Sequence, residues 1–79
     1  MKYRIFDKLN NCRYLGLFDA ESKDDAIEAF RKLQGYESSE DYAKHHAKQQ
    51  GLGLEFVLPI QRMLDGRLLV EEAKKETIQ

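Results

Sequence analysis

Apolar and polar positions alternate with a period of two at the start of the chain and switch to a helical period soon after. In KYRIF (residues 2–6), Tyr3 and Ile5 fall on one side and Lys2, Arg4 and Phe6 on the other, as in a half-buried strand. YLGLF (14–18) reads as the returning strand. Asn10-Asn11 suits a turn between them, because asparagine tolerates positive φ. Gly16 inside the second run marks a bulge or a close backbone approach. Residues 2–19 are therefore expected to form a β-hairpin.

The next stretch, ESKDDAIEAFRKLQG, carries the clearest periodicity. Ala26, Ile27, Phe30 and Leu33 recur at helical spacing and predict one apolar stripe. Ser22 is a good N-cap, and Asp25 three residues later completes a capping-box-like pair. Asp24, Asp25 and Glu28 near the start, with Arg31 and Lys32 near the end, suit the helix dipole. Gly35 supplies a left-handed stop. A second helix is predicted from a cap at Ser38 or Ser39 to a stop at Gly51, with a thin stripe of Tyr42, Ala43 and Ala47 and with His46 on the same face. His45 points away, alongside Asp41 and Lys48.

In LEFVLPIQRML, Leu54, Phe56 and Leu58 alternate with Glu55 and Val57, which predicts a third strand. Pro59 would confine that strand to an edge or bulge it. Asp65-Gly66 is a hairpin signal, and RLLVEE would return from it, with Leu64 opposite Arg67 and Arg62 opposite Leu69. The rival reading opens a short helix at Pro59, covering 60–64, with another over 67–77. The tail, about 73–79, is polar and is expected to fray or make one helical turn. The order is thus β-β-α-α-β-β, an α+β fold: a small antiparallel sheet with two helices packed on one face.

Composition narrows the class. The 79 residues make a single small domain, 1–79, in which 42% hydrophobic and 34% charged residues support a folded core. One cysteine, Cys12, cannot form an internal disulfide, and no window has the length of a signal peptide or a spanning helix. A cytoplasmic location is the expectation. The net charge is −1, but residues 1–18 carry four bases against one acid while residues 19–41 carry eight acids against three bases. Such a dipolar surface suits protein partners or self-association more than bulk nucleic-acid binding.

Candidate chemistry is thin. Adjacent helical residues diverge by about 100°, so His45 and His46 cannot ligate one metal without outside help. Cys12 sits in a predicted hairpin tip beside Arg13 and Lys8, with no formed pocket evident for a nucleophile. GLG (51–53) lacks the third glycine and following helix of a phosphate site. No catalytic residue, cofactor or metal site is therefore assigned, and an enzyme is not expected.

Two binding surfaces are better candidates. Lys2, Arg4, Phe6, Lys8, Arg13 and Tyr14 interleave bases with aromatics on the N-terminal hairpin, a pattern that grips phosphates and stacks bases. The same residues serve equally as solvated edge positions that deter unwanted strand pairing. Tyr36, Tyr42, Val57 and Leu69 exceed what the thin second helix can cover, so a partner or a second copy is expected to supply the cover.

The run YRIFD…LGLFDAESKDDAIEAFRKL, about residues 3–33, resembles a pattern common in small bacterial and phage proteins: strand, turn, strand ending in an acidic-Ala pair, then a Ser-capped helix. The resemblance implies an accessory protein of a bacterium or mobile element that binds and modulates a larger factor. Taken together, these readings predict a non-enzymatic protein acting by protein–protein contact, as a homodimer or a modulator. Weak nucleic-acid binding through the N-terminal hairpin is the alternative.

Overall fold

A computed structural model of the chain describes residues 1–73. The first two strands form as their alternation requires: β1 (Lys2–Asp7) pairs antiparallel with β2 (Arg13–Asp19). Tyr3 and Ile5 are buried, and Ile5 has no exposed surface at all. The turn lies one residue later than Asn10-Asn11. Arg13 N–H donates to Asn10 O at 3.0 Å, and the two residues between them, Asn11 and Cys12, have φ of 54° and 53°. Two successive positive φ values make a type I′ turn, whose backbone twist matches that of the flanking strands. Gly16 is both a bulge residue and a close approach. The register slips there, with Ile5 opposite Gly16 but Phe6 opposite Tyr14, so Leu15 is the extra residue. The Phe18 ring lies over Gly16, and a Cβ at that position would sit 3.0 Å from it.

Helix α1 (Lys23–Leu33) begins at Ser22, whose hydroxyl accepts from Asp25 N–H at 3.1 Å. It ends in a Schellman motif: Tyr36 N–H reaches Arg31 O, Gly35 N–H reaches Lys32 O, and Gly35 takes φ of 101°. Its inward stripe is Ala26, Ile27 and Phe30, but not Leu33, which is 72% exposed. Arg31 takes the buried place instead. Helix α2 (Ser39–Gln49) repeats the scheme, with Ser38 accepting from Asp41 N–H and with Gly51 at φ of 70° beyond its last turn.

The second hairpin does not form. Residues Leu54–Phe56 make a 3-10 turn that runs into a third helix, α3 (Val57–Gly66). The alternation of Leu54, Phe56 and Leu58 loses to the helical set Val57, Ile60 and Leu64, which buries one face against α2. Pro59 falls in the first turn of α3, where no backbone donor is needed. Asp65-Gly66 closes the helix instead of turning a hairpin, so Leu64–Arg67 and Arg62–Leu69 are not cross-strand pairs. The rival helical reading of 60–64 is nearer; of the helix it placed over 67–77, residues 68–72 are a strand and residues 74–77 lie outside the described residues. Leu68–Glu72 form β3, which pairs antiparallel with β1 and sets Ile5 opposite Val70.

The order is therefore β-β-α-α-α-β with a three-stranded antiparallel sheet, β2-β1-β3. The fold is α+β, but only α1 covers the sheet. Tyr3, Ile5, Ala26, Ile27, Phe30 and Val70 make one core, and Ala43, Ala47, Val57, Ile60 and Leu64 make a second, between α2 and α3. Residues 74–79, most of the tail read as frayed, lie outside the described residues; Ala73 N–H donates to Lys2 O at 2.7 Å.

Candidate functional site

Because Ile5 points into the first core, Arg4 and Phe6 must point to the opposite side of β1. Residues directly across a ladder share a face, which gathers the rest of the site. Phe6 stands opposite Tyr14 on β2 and Leu69 on β3; Arg4 stands opposite Leu17 and Glu71; Lys2 stands opposite Asp19. The Phe6 and Tyr14 rings are 5.5 Å apart, tilted by 52°. Phe6 and Leu69 are half-buried, while Tyr14 and Leu17 remain 53% and 48% exposed. An antiparallel sheet with one solvated face ordinarily turns polar residues outward. Here one end of the open face is apolar and the other carries charges of both signs. Lys2 Nζ lies 3.8 Å from Asp19 Oδ2, and Glu71 faces Arg4 across the ladder.

The sequence-predicted residues divide accordingly. Lys2, Arg4, Phe6 and Tyr14 from the basic hairpin meet Leu69 from the other set on this one face. Arg13 is opposite Asp7, on the α1 side of the ladder, and Lys8 lies in the turn, its N–H bonded to Arg67 O. Val57 is 7% exposed inside the second core, so its apolar surface is covered within the chain by α2. Tyr36 and Tyr42 pack on each other, with ring centroids 4.7 Å apart, and extend to His45 and His46. The histidines thus join an aromatic cluster on α2. His45 is exposed with Nε2 3.7 Å from Asp41 Oδ1, and His46 is half-buried. Among the described residues, no set of three His, Cys, Asp or Glu side chains is placed to hold a metal ion. Cys12 is exposed in its turn.

Two features escaped the sequence reading. Leu54, Phe56, Leu58 and Met63 stand 45–79% exposed on and before α3, a second apolar surface hidden by reading that segment as a strand. The signal was present, since a helix with apolar residues all round needs cover on both sides. Arg31 is the other. Its guanidinium is 97% buried, lies 4.1 Å from the Tyr42 ring centroid, and reaches Asp65 at 3.1 Å and Gln34 at 3.0 Å. An arginine in the last turn of a helix reads as a dipole partner, and only its neighbours in space show otherwise.

No described helix is long and apolar enough to cross a membrane. Comparison with protein-family models, with curated proteins and with solved structures finds no match to this chain.

Proposed function

We propose that the chain acts as a non-enzymatic binding protein, and that the open face of its sheet is the surface it presents. The observation that carries this reading is the gathering of Phe6, Tyr14, Leu17 and Leu69 on the side of the sheet that no described helix covers. Apolar contact at the centre with mixed charge at the rim is the usual anatomy of a protein interface. The occupant is a second copy or a larger protein, and the cytoplasm of a bacterium or its phage is the setting the composition and N-terminal pattern suggest.

The nucleic-acid reading has less support. Of its six residues, four share the face, but Asp19 and Glu71 offset Lys2 and Arg4 there. Phosphate binding draws its affinity from uncompensated positive charge.

Leu17→Glu places a charge in the middle of the face without entering either core. It is expected to leave the circular dichroism spectrum and melting curve unchanged. It should abolish self-association in sedimentation runs, or capture of whichever protein the native chain retains. Association that survives both Leu17→Glu and Tyr14→Ala would remove this face from consideration. A shift of single- or double-stranded oligonucleotides at low salt, lost on raising salt, would favour the alternative.

A further inference from the structure

The α2–α3 hairpin interrupts the sheet half of the molecule and is tied to it at two neighbouring places. Residues 34–38 lead into α2, and Arg67 alone separates α3 from β3. Arg31, Gln34 and Arg67 from these joints line one cavity of about 120 Å³, whose apolar walls come from Phe30 and Leu68 on one side and Tyr42 and Leu64 on the other.

The seam is built differently from the two cores it separates. Each core is apolar, whereas the seam is held by polar ties. Arg31 Nη2 meets Asp65 Oδ1 at 3.1 Å, and Arg67 Nη2 lies 3.8 Å from Asp7 Oδ2. The Glu28 carboxylate accepts from Ser39 N–H. Arg31 Nε and Ser39 Oγ, both buried there, have no hydrogen-bond partner among the described residues.

We infer that the α2–α3 hairpin opens as one unit about these two joints while the sheet and α1 stay folded, with Arg31 as the latch. Separating the seam returns Arg31 and Asp65 to water, which recovers the desolvation cost that a buried ion pair carries. It also hydrates the two orphaned polar atoms. Little apolar surface is lost, because the cavity already keeps the walls apart. Opening therefore costs less than global unfolding, and local openings of this kind define cooperative sub-units. Opening widens this cavity into a cleft between Phe30 and Leu68 on one side and Tyr42 and Leu64 on the other. This inference does not depend on the sheet-face reading.

Amide hydrogen exchange on the full chain, resolved by NMR, tests it. The core amides of α2 and α3, Ala47 and Leu64 among them, should share one protection level lower than that of Ile5 and Phe30. Asp65→Asn leaves the buried guanidinium without its counter-charge and should raise exchange in α2 and α3 by roughly tenfold or more, with the β1 and α1 amides still the better protected. Arg31→Met, which keeps the packing of the stem, should act on the same block. One common protection level for both halves, in the native chain or in either variant, would overturn the inference. So would loss of the sheet fold in Asp65→Asn, since the sheet half must survive without the latch.

Discussion

The sheet–α1 half and the α2–α3 half are each built around an apolar core, but from chain segments of different reach. The α2–α3 core closes within one continuous stretch, residues 39–66. The sheet core is non-local: Ile5 must find Val70, across the whole intervening hairpin. They also differ in what fills them. The sheet core sets Tyr3, Ile5, Ile27, Phe30 and Val70 around a single alanine, Ala26, with the Phe18 and Phe30 rings meeting edge to face at 5.9 Å. Two of the five residues in the helical core are alanines, which contribute little area. Hydrophobic stabilisation follows buried area, so the locally assembled half is the weaker one. Ease of formation and strength are thus separated in this molecule. The segment with the shortest loops to close has the least to hold it, and it leans on the sheet half through a polar seam.

The largest effect expected from breaking this contrast comes at Ile5. Ile5→Ala should cost about 4 kcal/mol in urea denaturation and speed exchange in β1 and α1, with much smaller change in α2 and α3, whose opening leaves Ile5 packed. Leu64→Ala should cost about 2–3 kcal/mol, read as faster exchange in α2 and α3, with Ile5 remaining the better protected. If Ile5→Ala sped exchange in α2 and α3 as much as in β1, the two halves would be one cooperative unit.

The paired helix caps sharpen the comparison further. Ser22→Ala and Ser38→Ala remove the same hydrogen bond from α1 and α2, each about 1 kcal/mol. Both should lower the denaturation midpoint, but only the second should also speed exchange of the α2 amides. The smallest effect lies at the hairpin tip. Cys12 holds φ of 53° in the type I′ turn, a conformation that disfavours a side chain. Cys12→Gly should stabilise the sheet half by about 0.5–1 kcal/mol, seen as a higher urea midpoint. A loss of stability there would mean that the thiol makes a contact worth more than the backbone strain.

Much of the candidate site was legible before any coordinates, because strand alternation alone puts Lys2, Arg4 and Phe6 on one side of β1. That this side is the open one was not legible. It depends on α1 taking the other side and on α2 leaving the sheet to pack with α3. Leu69 joined the site only when β3 paired with β1, a contact between residues more than 60 positions apart. The reading of residues 54–66 failed because two periodicities overlapped there. Leu54, Phe56 and Leu58 matched a strand, while Val57, Ile60 and Leu64 matched a helix. Pro59 and Asp65-Gly66 were compatible with either, and the partner surface on α2 decided between them.

Local chemistry therefore determined the N-terminal hairpin, both serine caps, both left-handed glycine stops and the inward placing of Ala26, Ile27 and Phe30 on α1, though not of Leu33, since each is settled by interactions within a few residues. The tertiary structure alone decided the helical state of α3, the strand order β2-β1-β3, the division into two cores and the burial of Arg31. Those outcomes depend on which distant surfaces compete for the same apolar face, and that competition has no expression in neighbouring residues.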